Sequence, residues 1–180
     1  MTHGMTQLCT LQKRNRVQTM TYTAGSGTPA VGQTVTGGTS HQTAVIRTLA
    51  TGYIIAKTVS GTFTPGETIT TATWSATLGT QTDYQNSSKE YEYYWTDDQP
   101  SIPCSFYTDT GPTVVIGPGQ MEEMSTKVML PPTVTVDSLN YRVYTTQAGF
   151  EGTYRIKGSV HACYGFPKLD HYELELGKWP

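Results

Sequence analysis

The chain has 180 residues, of which only 14% are charged, and its formal net charge is −2. This length fits one domain or two small ones, and the near-neutral charge argues against a protein that grips nucleic acid through its phosphates. Threonine, tyrosine, glycine and proline are frequent, and no segment repeats apolar residues with the period of a helix. The composition therefore predicts an all-β protein.

The three cysteines, Cys9, Cys104 and Cys163, are widely spaced and include no Cys-x-x-Cys pair. Such spacing is typical of free thiols in a reducing compartment rather than of a disulfide framework. No stretch approaches the roughly 18 apolar residues of a membrane span, and the N-terminus lacks a charged region followed by an apolar run. We therefore expect a soluble chain with no membrane partner and no export signal.

The N-terminal segment predicts a strand at residues 8–11, a charged corner, and a second strand at residues 17–22. The corner carries Lys13, Arg14 and Arg16. Three interpretations of it stay open: a nucleic-acid contact, a partner-docking surface, or a charged hairpin tip that prevents the pairing of sheet edges.

Residues 23–83 differ in composition from the rest of the chain, being rich in threonine, glycine, alanine and serine. The phrase Gly32-Gln33-Thr34-Val35-Thr36 returns 34 residues later as Gly66-Glu67-Thr68-Ile69-Thr70. Because each copy leads from a turn into an apolar run, we expect the copies to occupy equivalent positions in the two halves of one small sheet or barrel. About five short strands are predicted in it, at residues 34–36, 44–46, 53–56 and 68–70 and at Trp74.

After this segment the chain becomes rich in tyrosine. Apolar and polar residues alternate over residues 91–95, which predicts a half-buried strand that Asp97-Asp98 closes. The further predicted strands are residues 102–107, 127–130, 134–136, 141–144, 153–159 and 171–179. With the N-terminal strands they predict a small antiparallel barrel or sandwich of about seven strands. Between two of them, residues 109–125 hold three glycines and two prolines and predict a long exposed loop.

Neither a metal site nor a catalytic site is predicted, so we expect no cofactor and no enzyme activity. Neighbouring carboxylates, as at Asp97-Asp98 and Glu122-Glu123, point to opposite faces of a strand and cannot share a site. No nucleophile elbow or phosphate-binding loop is present. One group of metal-capable side chains lacks the paired spacing of a structural zinc site. Its members are His161, Cys163, Asp170 and His171.

Five segments outside residues 23–83 follow one another in a recognisable order: LCTLQKRNRVQ, YYWTDDQPSIPCSF, KVMLPPTVTVDSLNYRVYT, GTYRIKGSV and HYELELGKW. This order, over roughly residues 6–22 and 91–179, resembles that of the head-closure, or stopper, proteins in the necks of tailed bacteriophages. The intervening segment resembles the small Thr/Gly-rich β modules of phage virion proteins, which typical head-closure proteins lack. The predicted organisation is a discontinuous barrel, residues 1–22 and 84–180, with residues 23–83 inserted as a second β module in its first hairpin.

The resemblance implies a structural protein of the virion head–tail junction, assembled in the host cytoplasm. Such a protein forms a ring below the portal or adaptor, closes the DNA-filled head, touches the packaged DNA transiently, and offers an attachment surface to tail terminator or tube proteins. About twelve copies are expected rather than six. Lys13, Arg14 and Arg16 are then candidate docking residues. The candidate channel loop comprises Asp109, Thr110, Gly111, Pro112, Thr113, Val114, Val115, Ile116, Gly117, Pro118 and Gly119.

Two alternatives remain. The chain could be a capsid decoration or carbohydrate-binding module, in which Tyr91, Tyr93, Tyr94 and Trp95 form a stacking surface. It could also be a tail-completion protein, a neighbour in the same neck with a different ring.

Overall fold

The computed structural model describes residues 5–57, 59–110, 124–165 and 168–179. All regular structure in these ranges is β, which confirms the predicted fold class, and no helix there is long and apolar enough to cross a membrane. The strands are β1 (Gln7–Arg16), β2 (Gln18–Gly27), β3 (Thr34–Gly37), β4 (Thr43–Ala50), β5 (Tyr53–Lys57), β6 (Thr68–Thr70), β7 (Trp74–Asp83), β8 (Tyr93–Thr110), β9 (Met124–Leu130), β10 (Tyr141–Thr145), β11 (Gly152–Gly165) and β12 (Lys168–Lys178).

The chain divides into two compact units. One, called here the outer barrel, is formed by Met1–Arg14 with Trp95–Pro180; the other, the inserted barrel, is Asn15–Tyr94. The inserted barrel begins earlier and ends later in the chain than the predicted residues 23–83. The reason is that β2 pairs with β5 and β7, so that Met20 belongs to the inserted core.

The outer barrel is a closed antiparallel sheet in the order β1-β10-β11-β12-β9-β8. Alternate residues of each strand point inward, which is the pattern that the sequence predicted for its C-terminal strand. The fully buried side chains include Leu11, Cys104, Val128, Leu130, Val143 and Leu174. Of the three cysteines, Cys9 and Cys104 are free and buried, as expected, whereas Cys163 is free and half-buried.

The predicted strand at residues 134–136 is wrong. That segment is irregular, although Val134 and Val136 still pack against the outer core. The side-chain amide of Gln99 takes the place of a partner strand: it donates to the carbonyl of Thr135 at 2.6 Å and accepts from its N–H at 3.2 Å. The backbone N–H and carbonyl of Thr135 are thus satisfied without a ladder.

Two further sequence predictions fail along β1 and β8. The basic residues do not form a corner, because β1 stays paired with β10 as far as Lys13, opposite Tyr141, and continues to Arg16. The acidic pair does not end a strand, because β8 runs unbroken through it. Within β8, Ser101 has a positive φ of 56°.

Two hairpins extend beyond the pairing of the barrel. In the β8–β9 hairpin, pairing continues to Thr110 opposite Met124, whereas β9 pairs with β12 only from Thr126 onward. In the β11–β12 hairpin, pairing continues to Gly165 opposite Lys168, whereas β12 meets β9 only from Tyr172 onward. Because β9 and β12 are antiparallel, the two hairpin ends, called here the two arms, leave the barrel at opposite ends.

The inserted barrel is a second closed sheet, in the order β2-β5-β4-β3-β6-β7. It consists of two three-stranded meanders, β3-β4-β5 and β6-β7-β2, the last strand of the second meander being supplied from the N-terminal side. The meanders meet where Thr36 of β3 lies opposite Thr70 of β6. These are the last threonines of the two repeated phrases, so the repeat corresponds to a pseudo-twofold relation.

The turns before β3 and β6 are equivalent in detail. Gly32 and Gly66 have φ angles of 87° and 83°, which a side chain would disfavour. The N–H of Gly32 donates to the carbonyl of Ile46 at 2.8 Å, and the N–H of Gly66 donates to that of Leu78 at 2.9 Å. The predicted equivalence of the two phrases is therefore confirmed.

The residue after each glycine caps its own turn. The N–H of Ala30 donates to Oε1 of Gln33 at 3.0 Å, and the N–H of Thr64 donates to Oε1 of Glu67 at 2.8 Å. The matching amide and carboxylate oxygens thus perform the same local task in both halves. Beyond this shared bond, the two side chains differ in charge and in what else they bind.

Glu67 carries a charge that Gln33 lacks, and the protein surrounds it with donors. The N–H groups of Thr39 and Ser40 donate to its Oε2, each at 2.8 Å, and the Ser40 hydroxyl donates to its Oε1 at 2.7 Å. Burial by itself raises the pKa of Glu67, but hydrogen bonds from Ser40, Thr39 and Thr64 outweigh it and lower the pKa to about 2. Glu67 is therefore a charged structural anchor.

Candidate functional site

The β8–β9 arm leads into the candidate channel loop. Asp109 and Thr110 form the end of β8, opposite Ser125 and Met124. The remaining candidate residues, Gly111–Gly119, lie outside the described residues, as does the Glu122-Glu123 pair. The structure thus places the base of this segment on a paired two-stranded stem at one end of the outer barrel.

The β11–β12 arm, at the other end of the outer barrel, has a free strand edge. Among the described strands, β10 pairs with β11 only as far as Arg155, and beyond it β11 pairs with β12 alone. Tyr164, near the end of this arm, is 76% exposed. An unpaired edge of this kind can accept a strand from another chain.

The three candidate docking residues are divided between the two units. Lys13 and Arg14 belong to the outer barrel, and the N–H of Arg14 donates to the carbonyl of Asn140 at 2.7 Å. The pKa of the nearby Asp137 is raised by burial but lowered overall by hydrogen bonds from Asn140 and Leu139 and by the charge of Arg14. The backbone around Lys13 and Arg14 is thus held within a strand.

Arg16 belongs to the inserted barrel, where it contacts a carboxylate and an aromatic ring. Its guanidinium forms an ion pair with Asp83 and lies 4.3 Å from the ring centre of Tyr91. Burial raises the pKa of Asp83, but the hydrogen bonds from Arg16 and Gln18 lower it overall. Both partners of the ion pair are therefore charged at neutral pH.

A polar cleft of about 330 Å³ lies beside this ion pair, entirely within the inserted barrel. Tyr94 contributes one wall, and its hydroxyl accepts a hydrogen bond from the N–H of Val59 at 2.8 Å. Tyr91 and Tyr93, two of the predicted stacking residues, are 42% and 40% exposed. The lining residues are Asn15, Arg16, Gln18, Val59, Gly61, Thr62, Gln81, Asp83 and Tyr94.

Trp95, the fourth predicted stacking residue, instead belongs to a cation–aromatic stack of the outer barrel. The guanidinium of Arg142 lies 4.5 Å from the ring centre of Trp95 and 5.7 Å from that of Trp179. Burial lowers the pKa of Arg142 despite the opposing charge of Asp97. Arg142 was not predicted from the sequence, since its position depends on the pairing of β10 with β1, where it lies opposite Gln12.

The acidic pair of β8 splits as its position on a strand predicts. Asp97 accepts from the Gln12 amide at 2.7 Å, whereas Asp98 accepts from the Tyr141 hydroxyl at 3.0 Å. The two carboxylates thus hold different neighbours. They do not converge on one reacting position.

The metal-capable residues considered from the sequence are only partly brought together. Cys163, His171 and Glu173 form one group, in which the three ligand atoms all lie within 4.8 Å of one another. His161 lies outside this group. Oδ2 of Asp170 lies 3.0 Å from Nδ1 of His171. Glu173 was not predicted as a member of this group. The available signal was the two-residue spacing on both sides of the Gly165-Phe166-Pro167 segment of the sequence, because a hairpin brings such residues to one face.

The environment of this group is mixed in charge. Burial raises the pKa of the Cys163 thiol, as do the charges of Glu173 and Asp170, while Lys127 opposes them. The pKa of Glu173 is lowered, first by a hydrogen bond from Tyr107 and then by Lys127, whose Nζ lies 3.1 Å from Oε1. A neutral thiol and a charged carboxylate are therefore expected here at neutral pH.

Comparisons with protein-family models, with curated proteins and with solved structures return no match to this chain.

Proposed function

We propose that this chain is a structural subunit of the neck of a tailed bacteriophage, forming a head-closure ring between the portal or adaptor and the tail. The observation that supports this best is the pair of arms that leave a closed outer barrel at opposite ends. A neck subunit must contact one ring above it and another below it. Arms at both ends of a rigid barrel suit that task.

The closed barrels also restrict how subunits can join. A closed sheet has no edge strand to offer a neighbour, so strand addition must use a part that extends beyond it. The β11 edge beyond Arg155 is such a part. Contact between this edge and a different surface of the next copy is heterologous, and it closes into a ring at a fixed rotation.

The sparse charge of the chain fits a conduit. A net charge of −2 gives DNA no extended basic surface on which to be held. Lys13, Arg14 and Arg16 remain the proposed docking residues, because a template with many copies of the complementary surface multiplies weak individual contacts.

The test is to add the purified protein to DNA-filled, tailless particles and to image them. The proposal expects density at the portal vertex, with the free protein mainly monomeric. Deleting Thr113–Pro118 should leave heads that package DNA but lose it before tails attach, if this segment closes the channel. The control is Leu139→Ser, which removes an exposed apolar side chain elsewhere on the outer barrel. DNA retention equal to wild type in the deletion would remove the channel role from this segment.

The cleft beside Arg16 favours a second candidate, a decoration or carbohydrate-binding module. Exposed Tyr91 and Tyr93 next to a polar cleft are the elements of a sugar-binding surface. Binding spread over the capsid shell, or binding to glycans without density at the vertex, would favour this candidate and defeat the neck assignment.

A further inference from the structure

Three side chains of different chemistry meet on the outer face of the β11–β12 hairpin. Cys163 lies opposite His171, and Glu173 follows two residues later on the same strand, so the three share one face. Leu174, between Glu173 and Glu175, points into the barrel core. The group therefore lies on the surface of the sheet, half-buried.

We propose that Cys163, His171 and Glu173 bind a divalent transition-metal ion, with Zn²⁺ the ion they fit best. Thiolate sulfur, imidazole nitrogen and carboxylate oxygen are all zinc ligands, at about 2.0–2.3 Å. In a tetrahedral site, such lengths put the ligand atoms roughly 3.3–3.7 Å apart. The three ligand atoms here already lie within 4.8 Å of one another, so small side-chain rotations bring them to the metal. Water completes the fourth position.

Asp170 contacts the ring of His171. Its Oδ2 lies 3.0 Å from Nδ1 of His171, and a ring that donates its Nδ1 proton to Asp170 keeps a lone pair on Nε2 for the metal. A carboxylate behind a histidine is the usual outer partner of zinc-bound imidazole. Asp170 is thus a positioning residue rather than a ligand.

The charges of the site also match a dication. When the metal binds, the S–H bond of Cys163 breaks, the proton leaves to solvent, and a sulfur–metal bond forms with no change of oxidation state. The thiolate and the Glu173 carboxylate together then balance the charge of the ion. Lys127, which pairs with Glu173 at 3.1 Å, competes for the same carboxylate. Removing it by Lys127→Met should raise the affinity for the metal.

The test uses the reduced, metal-free full-length protein and Co²⁺ as a spectroscopic probe. We expect one equivalent to bind, with a thiolate-to-cobalt absorption band and the visible bands of a tetrahedral ion, and Zn²⁺ to displace it. Cys163→Ser should abolish the thiolate band, because Cys9 and Cys104 are buried in the barrel core. Asp170→Asn should lower the affinity by about tenfold.

Glu175 provides the matched control for Glu173. Both glutamates lie on the same face of β12 and both pair with a lysine, Glu173 with Lys127 and Glu175 with Lys157, but only Glu173 belongs to the group. Glu173→Gln should weaken Co²⁺ binding by at least about tenfold, and Glu175→Gln should leave it unchanged.

A second measurement needs no variant. Zn²⁺ should slow the alkylation of Cys163 in the wild-type protein, as followed by mass spectrometry. The proposal is overturned if no thiolate band forms, if the band survives Cys163→Ser, if the two glutamine variants behave alike, or if Zn²⁺ leaves the alkylation rate unchanged. It does not depend on the neck assignment.

Discussion

The inserted barrel and the outer barrel use their polar residues in opposite ways. In the inserted barrel, Gln33 and Glu67 of the repeated turns accept hydrogen bonds from backbone N–H groups of the same unit. In the outer barrel, the two arms carry the free strand edge and the base of the candidate channel loop beyond the closed sheet, and the Cys163 group lies where the β11–β12 arm begins. This difference teaches that the polar residues of the repeated turns serve the stability of the inserted barrel, whereas the proposed contact surfaces of the outer barrel lie at its ends.

The largest expected effect on folding comes from deleting the inserted segment with the wrong boundaries. Replacing Asn15–Tyr94 by a short Gly/Ser linker should leave a folded outer barrel, because β1 and β8 are neighbours in its sheet. Replacing only residues 23–83 should fail to give a cooperative fold, because the start of β2 then remains without its partner strands β5 and β7. Thermal unfolding followed by circular dichroism separates the two. Equal behaviour of the two deletions would show that the units are not divided at Arg14 and Tyr94.

Core truncations should act on one barrel at a time. Leu174→Ala in the outer core and Ile54→Ala in the inserted core each remove a fully buried side chain, and each should cost about 2–5 kcal/mol. If the units unfold separately, calorimetry should show each variant lowering only one of two transitions. A single transition lowered equally by both would mean that the barrels unfold as one.

Exchanging the repeat residues should reveal the charged anchor. Glu67→Gln should destabilise the inserted barrel by about 2 kcal/mol, because it removes the charge that its hydrogen bonds stabilise. Gln33→Glu is the matched control, since Gln33 has no equivalent set of backbone donors among the residues that the structure describes.

The pH dependence gives the same prediction an independent readout. The pKa of Glu67 falls on folding from 4.5 to about 2, so its contribution is fully present above about pH 4.5 and is lost as the pH falls towards 2. Unfolding by urea at a series of pH values should therefore show wild type and Glu67→Gln converging in stability in acid. A difference that stays constant down to pH 2 would contradict the charged anchor.

The smallest effect on stability is expected at the basic residues. Replacing Lys13, Arg14 and Arg16 by glutamine should shift the unfolding midpoint less than any change above, because ion pairs that water reaches contribute little. Docking to DNA-filled particles should nevertheless weaken. Unchanged docking with a lowered midpoint would reverse the proposed roles of these residues.

The sequence predicted what depends on local chemistry and missed what depends on distant partners. The repeated turns were recognisable because Gly32 and Gly66 are needed for a positive φ, and a turn is a local structure. The irregular segment at residues 134–136 was not recognisable, because the backbone groups of Thr135 are satisfied by Gln99, which is far away in the chain. Glu173 was missed for the same reason: its place beside Cys163 is fixed by the register of a hairpin, which the spacing only implies.

The most direct test of the proposed function is to image intact particles that carry either the wild-type protein or a variant lacking Asn15–Tyr94. The account predicts a ring at the head–tail junction in both, with the variant ring losing one domain-sized volume per subunit. The account is contradicted if the wild-type junction has no such ring, or if the protein is instead spread in many copies over the capsid shell.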